Sequence, residues 1–351
     1  MVLSQNVSAH PGLGSLPNKL KELWLEVGGS CHLNCYYCFA NSDGLDKSKD
    51  NVNIHQIKKY LNEFVEIGGD RIGIVGAGEP FHARNISDTL AILEYAKEKK
   101  LHTTIFTTTD LIDEKLIKKL DEFPNITLMV KYNSQIPEVQ DKMVSSQGYT
   151  QRRDKAMKLL ISKGYNDGKR LGVVTSILEE NAKEMSKIFR FARDNNIIFD
   201  VDTPIPRGRG SNCDREKIGK LAKPVIKELA KIDKEEYGNV WDSHATYIAS
   251  LPCTRFNQHL YVKKDGLVMP CVGSPNVILG NVKEESIKDI WDKKITLIIR
   301  EHKYKGKCTS CKNFKEGKCF SCLGRSTKNL NTESLLRKGY VETIGCFQYR
   351  K

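Results

Sequence analysis

The chain has 351 residues, of which 39% are hydrophobic and 28% charged; it is long enough for a large core and a second unit, and its balance fits a soluble globular protein. The formal net charge is +13, but the lysines are scattered rather than stacked into one block, so charge alone decides neither for nucleic acid nor for an acidic substrate. No apolar run reaches the ~20 residues of a membrane span. The start, Met1 to Leu20, lacks a basic segment followed by an apolar core, which excludes a secretory signal there and makes the cytoplasm the expected location. In that reducing compartment eleven cysteines read as metal or redox ligands before disulfides.

Residues 1–22 read as an N-terminal segment and 23–29 as a first strand. The loop after it, GGSCHLNCYYCFANSDG, holds Cys31, Cys35 and Cys38 within eight positions. A helix follows over 54–68, with Ile54, Ile57, Tyr60, Leu61, Phe64 and Val65 on one face. A buried strand over 71–78 and a helix over 86–99, with Ser87 as its N-cap, come next. Then come a strand over 101–109 and a helix over 113–123. Three further pairs follow: 126–134 with 149–163, 169–178 with 181–194, and 197–206 with 214–236. About six strand–helix units in series imply a parallel sheet, open or curled into a barrel, and fewer units than the eight of a closed one. The expected fold is therefore α/β, a partial (β/α)6 TIM-like barrel over 23–236. The remainder, 237–351, reads as a small Cys-rich cluster-binding domain. Seven cysteines lie between Cys253 and Cys346, long helices mostly stop, and ligation is expected to hold the region together where a core cannot.

Loops at the carboxyl ends of parallel strands carry the chemistry of such folds, and the three-cysteine loop is in that position. A structural zinc site wants four closed ligands, and His32, next to Cys31, is awkwardly placed to be the fourth. Three thiolates suit three corners of a 4Fe–4S cluster and leave one iron open. The spacing C-x3-C-x2-C, with the aromatic Tyr37 before the third cysteine, resembles the signature of the radical SAM superfamily. That resemblance implies that Cys31, Cys35 and Cys38 hold a 4Fe–4S cluster whose open iron chelates S-adenosylmethionine (SAM). One electron then cleaves a C–S bond and yields a 5′-deoxyadenosyl radical.

GAGEP, Gly76 to Pro80, closes the second predicted strand and resembles the family's GGEP motif, which holds the methionine amino group. Glycines at Gly76 and Gly78 allow close backbone approach, and Glu79 offers a charge-assisted acceptor to an ammonium. Further SAM contacts implied by the resemblance are Tyr37, Pro80, Thr107, Lys131, Asn133, Ser134 and Thr175. The turn PIPRGRG, 204–210, resembles one common after the sixth strand of these enzymes; Arg207 and Arg209 either meet a carboxylate bidentately or form a solvated basic turn.

The C-terminal pattern is Cys253-x12-Gly266-x4-Cys271, then Cys308-x2-Cys311-x7-Cys319-x2-Cys322, then Cys346. It resembles the SPASM extension, which carries two auxiliary 4Fe–4S clusters, although the family's second half is usually C-x2-C-x5-C-x3-C. A zinc ribbon is the alternative for the paired cysteines. Carried over, the resemblance implies Cys308, Cys311, Cys319 and Cys346 for an outer cluster and Cys253, Cys271 and Cys322 for an inner one. The inner cluster is then completed by Cys213 or left with an open iron, while Cys213 also reads as a small buried hydrophobe. Val272 stands where sulfatase-maturing members have Asp, which disfavours that activity. Only about 20 residues precede the first strand, which weakens a role with a built-in leader-peptide-binding domain. The expected function is radical SAM modification of a peptide or protein, with an electron donor such as flavodoxin or ferredoxin. The alternative is oxidation or epimerisation of a small molecule such as a sugar or aminocyclitol. From another class, a zinc-stapled nucleic-acid-binding protein remains, although the aromatic and basic platform for single strands is missing.

Overall fold

The computed structural model describes residues 16, 18–46, 48, 50–240 and 253–345; Cys346 lies outside them. The strand–helix units appear in the expected order. They are β1 (Glu22–Leu25), α1 (Ile54–Glu66), β2 (Arg71–Ile74), α2 (Ile86–Glu98), β3 (His102–Thr107), α3 (Glu114–Leu120) and β4 (Ile126–Lys131). After β4 come α4 (Pro137–Val144), α5 (Tyr149–Ser162), β5 (Leu171–Ser176), α6 (Met185–Asp194), β6 (Ile198–Asp202) and α7 (Arg215–Tyr237). Each strand is shorter than its apolar run, because the run continues into the loop that bears the site.

Helix α1 buries Ile57, Tyr60, Leu61 and Phe64, the stripe its periodicity announces. It starts at a capping box in which Asn53 accepts from Gln56 N and the Gln56 side chain accepts from Asn53 N. Ser87 does not cap α2. The cap position is Asn85, and its side chain is spent elsewhere, donating to Ser30 O and Glu79 O, both at 2.8 Å. A cap residue has been given over to tying two functional loops together.

One sheet of nine strands runs β6-β5-β4-β3-β2-β1-β7-β8-β9. Its second half comes from the C-terminal region: α8 (Arg255–Gln258), β7 (His259–Val262), β8 (Leu267–Met269) and β9 (Gly280–Asn281). All neighbours from β6 to β7 are parallel, and β7 pairs with β1 in the register Glu22↔His259, while β8 and β9 turn back antiparallel. Side chains of β1, β4 and β6 line one cavity, so the sheet curls around its carboxyl ends. Among the described residues β6 pairs only with β5 and β9 only with β8, so the arc stays open.

The boundary expected at 236/237 does not separate two cores. Leu260, Val262 and Val268 belong to the same buried cluster as Leu23, Ile72 and Val173. So do residues of α9 (Ile287–Asp292) and α10 (Lys294–Arg300), including Ile290, Ile298 and Ile299. The expectation that the region lacks a core is corrected: apolar burial continues through it from the barrel strands. Beyond α10 the chain forms a two-stranded parallel sheet of β10 (Tyr304–Gly306) and β11 (Val341–Thr343). Between them lie α11 (Lys312–Lys315) and α12 (Thr332–Lys338). Among the described residues no helix is long and apolar enough to cross a membrane.

Candidate active site

The loop after β1 is pinned along its length. Cys31 N donates to Gly44 O at 2.8 Å, Asn34 N to Val144 O at 3.1 Å, and Cys38 N to Cys35 O at 3.1 Å. From the turn after β6, Arg209 Nε donates to Cys35 O at 2.8 Å and Arg209 Nη2 to Ser42 O at 2.7 Å. Gly208 there has φ +55°, and a Cβ would stand 2.5 Å from Phe39 O, so only glycine lets the turn press this close. Arg209 is thus a clamp on the cysteine loop rather than a ligand for a substrate carboxylate. Arg207 is turned to the buried Glu26, 3.6 Å away, and stacks against Phe39 and Tyr261. The His32 ring is turned to Asp110 at 2.9 Å.

Cys31, Cys35 and Cys38 all line a cavity of about 290 Å³ at the carboxyl ends of the strands. Burial pushes the Cys31 thiol up to about 12, and Glu79, Cys35 and Cys38 add to it. Burial likewise raises Cys35 to about 11, with Cys38 adding and Lys131 opposing. Cys31 and Cys35, whose ionisation burial disfavours, stand where a cationic iron centre would favour thiolate.

Gly76, Gly78 and Glu79 lie in the same wall. Gly78 has φ +109°, and a Cβ would meet Ser30 O at 2.6 Å. Glu79 is 1% exposed; Oε1 accepts from Thr107 Oγ1 at 2.6 Å and Phe81 N at 3.2 Å, and Oε2 from Thr108 N at 2.7 Å. Burial raises its pKa despite these donors, leaving a carboxyl whose ionised form gains from a cationic neighbour. Thr107 lines the cavity, but its hydroxyl is committed to Glu79, which it positions.

Lys131 and Thr175 also line the cavity. Lys131 Nζ donates to Ser176 Oγ at 2.9 Å and lies 5.0 Å over the ring of Tyr37. Burial pulls its ammonium down to about 8 against the opposing pull of Cys35, Asp200, Cys38 and Asp202. Three expected contacts are not on the cavity wall. Pro80 turns away and accepts from Thr89 Oγ1 at 2.8 Å. Asn133 and Ser134 are fully buried; their backbone N–H groups donate to Gln140 Oε1 of α4, each at 2.9 Å. Ser134 Oγ donates to Glu184 at 2.6 Å, and Asn133 Oδ1 accepts from Ser176 N at 2.8 Å. The unforeseen helix α4 captures this end of β4 and closes it off.

Sequence reading missed Asp200, Asp202, Arg255, His259 and Tyr304, all on the cavity. A signal existed for the two aspartates. In IFDVD they alternate with the buried Phe199 and Val201, which puts both carboxylates on the opposite face of the strand. Asp202 Oδ2 pairs with Arg325 at 2.9 Å, whereas the Asp200 carboxylate makes no hydrogen bond or ion pair among the described residues.

Cys253, Cys271 and Cys322 line the same cavity as the first three thiols. Burial raises Cys271 to about 11, and Cys322 and Cys253 push it further. Cys308 is buried, Cys311 is exposed, and Cys319 Sγ accepts from Ser321 N at 3.3 Å; none of the three lines the cavity. Cys213 does not join either set: it packs beside Tyr36, Leu178 and Ile218. Among the described residues no three His, Cys, Asp or Glu side chains close around a point the size of one metal ion. The two sets are soft thiol donors spread over a cavity wall, which fits clusters better than single ions.

A radical SAM superfamily model matches residues 25–192, and a model of the SPASM iron–sulfur cluster-binding domain matches residues 253–312. The chain belongs to the radical SAM superfamily and carries a SPASM domain; it is an enzyme whose family implies iron–sulfur clusters and SAM. The zinc-stapled nucleic-acid-binding alternative falls with that assignment. The structure of SuiB from Streptococcus suis with S-adenosylmethionine matches with a TM-score of 0.64 at 18% identity, covering 85% of this chain and 72% of that one. The structure of anSMEcpe with AdoMet matches with a TM-score of 0.58 at 15% identity, covering 85% and 88%. At these identities they show the fold. Among curated proteins, a probable GTP 3′,8-cyclase from Methanococcus aeolicus is 20% identical over 269 residues, 72% of this chain and 86% of its own. An Fe-coproporphyrin III synthase from Methanosarcina barkeri is 25% identical over 167 residues, 48% of this chain and 39% of its own.

Proposed function

We propose that the protein reductively cleaves SAM and uses the resulting radical to abstract hydrogen from a peptide or protein group admitted to the cavity. The carrying observation is that one cavity is lined by both thiol sets, with Glu79 beside the first. Cys31, Cys35 and Cys38 would hold the SAM-binding 4Fe–4S cluster. Cys253, Cys271 and Cys322 would hold an inner auxiliary cluster, and Cys308, Cys311, Cys319 and Cys346 an outer one. When bound, the first cluster and SAM supply one-electron reduction and the 5′-deoxyadenosyl radical; flavodoxin or ferredoxin is the class of donor.

The chain's own residues bind, orient and exclude water. Glu79 accepts from the SAM ammonium in a dry wall where the contact is strong. Thr107 and Thr108 N hold its carboxylate in place. Trp24, Phe39, Phe106 and Met129 supply an apolar lining that shields a radical from solvent. Lys131 and Asp200 are polar groups on that lining that would orient a substrate.

SuiB has also been solved with its precursor peptide SuiA, which supports the peptide reading. The curated relatives named for GTP and coproporphyrin support a second reading, chemistry on a small molecule. The test is 5′-deoxyadenosine formation by the anaerobically reconstituted protein with SAM and dithionite. No 5′-deoxyadenosine overturns the SAM-cleaving reading. Stimulation by the small-metabolite fraction of a host-cell extract, with none from the peptide fraction, overturns the peptide reading.

A further inference from the structure

Tyr304 presents a buried hydroxyl that has no hydrogen-bond partner among the described residues. The residue is 3% exposed. It lines the cavity together with Cys253, Cys271 and Cys322. The thiols of Cys271, Cys322, Cys253 and Cys308 all act electrostatically on it. Its ring is fixed: it stands at the start of β10 and stacks on His302, with centroids 3.9 Å apart and planes 14° apart. Tyr304 N donates to His302 O at 2.8 Å. A phenol is a donor that rarely stays unpaired when buried, and the thiols of Cys253, Cys271 and Cys322 are acceptors on the same cavity wall.

We infer that the Tyr304 hydroxyl donates a hydrogen bond to the sulfur shell of the inner auxiliary cluster and raises its reduction potential. The inference rests on the reading that Cys253, Cys271 and Cys322 hold that cluster. A donor aimed at sulfur stabilises the reduced, more negative state over the oxidised one, as hydrogen bonds to cluster sulfurs do generally. Tyr304 is a positioning and tuning residue that would act on substrate chemistry through the cluster. Ser274 Oγ already lies 3.3 Å from Cys271 Sγ, so the inner set has a hydroxyl on one thiol, and Tyr304 supplies another from the opposite chain segment.

The test uses the full chain reconstituted anaerobically with iron and sulfide, as wild type, Cys271→Ala and Tyr304→Phe. Each is reduced and examined by EPR-monitored redox titration, and by proton ENDOR before and after exchange into deuterium oxide. Cys271→Ala removes one cluster signal, which identifies the inner cluster. In wild type that signal carries an exchangeable proton coupling that Tyr304→Phe abolishes with iron content unchanged, and its midpoint moves to lower potential. A coupling from Ser274 persists in Tyr304→Phe, so only the lost one counts. Unchanged coupling and potential in Tyr304→Phe overturn the inference. If Cys271→Ala loses no cluster signal, the cluster assignment itself fails instead. Where Tyr304→Phe does not assemble the inner cluster, wild-type protein containing 3-fluorotyrosine keeps the hydroxyl and the shape. Its more acidic phenol raises the potential of that signal, and an unmoved potential overturns the inference.

Discussion

The two thiol sets face one cavity and are built in opposite ways. Cys31, Cys35 and Cys38 share a single loop, and that loop is held by short contacts to Gly44, Val144 and Arg209. Cys253, Cys271 and Cys322 come from three segments, gathered only after β7 has paired with β1 and the chain beyond α10 has folded back over it. A set close in sequence needs its loop pinned. A set distant in sequence needs a folded core first, and this core is the one that runs unbroken from β1 into α10. The C-terminal cysteines are therefore mounted on an extension of the barrel sheet that shares its apolar core.

The largest expected effect separates the sets completely. Replacing Cys31, Cys35 and Cys38 together with Ala abolishes 5′-deoxyadenosine formation, while iron bound by the C-terminal cysteines remains; product analysis and iron counting on one sample check both halves. Residual 5′-deoxyadenosine would break the division of labour.

Cys271→Ala acts on the other set. SAM cleavage stays largely intact, modified product is lost, and iron falls by one cluster's worth. Far-ultraviolet circular dichroism and the melting transition of the iron-free proteins stay close to wild type, since Leu260, Val262 and Val268 keep β7 and β8 packed.

Glu79→Ala removes a charge-assisted contact worth about 1.5–3 kcal/mol, a tenfold to hundredfold loss in SAM affinity. Equilibrium binding measures it, and an unchanged dissociation constant refutes the role. Arg209→Ala removes two charge-assisted hydrogen bonds to the carbonyls of Cys35 and Ser42. Its expected signature is a lower melting temperature, from about 1.5–3 kcal/mol of lost stability, and reduced iron occupancy of the loop set alone. Equal iron loss from both sets would show that the clamp is not local.

The smallest effect belongs to Cys213. Packed with Leu178 and Ile218 outside both sets, it behaves as a small hydrophobe. Cys213→Ser leaves the iron content unchanged and costs about 1 kcal/mol or less, the scale of an ordinary substitution away from a special site. A loss of iron would return Cys213 to the inner set.

The alternating strands and helices, the loop bearing Cys31, Cys35 and Cys38, and the Gly76–Glu79 wall were legible from the sequence because each depends on neighbours in the chain. Backbone periodicity and closely spaced chelating residues are short-range facts. Asp200 and Asp202 were legible in principle by the same alternation. Tertiary structure alone decided the rest. The pairing of β7 with β1, Glu22 opposite His259, turned a supposed separate domain into part of the sheet. Gln140 of α4, reaching back to the N–H groups of Asn133 and Ser134, removed two expected cofactor contacts. Arg209, expected at a ligand or in solvent, went to the carbonyls of the cysteine loop, and Tyr304 came to share a cavity wall with Cys253, Cys271 and Cys322. These outcomes depend on which groups compete for each donor and acceptor once the chain is compact, a competition in which most buried polar groups find a partner. Little of that information is local: Arg209 and Cys35 lie 174 residues apart and Glu22 and His259 lie 237 apart, while Gln140, only six or seven residues from Ser134 and Asn133, reaches them through a helix the periodicity did not announce.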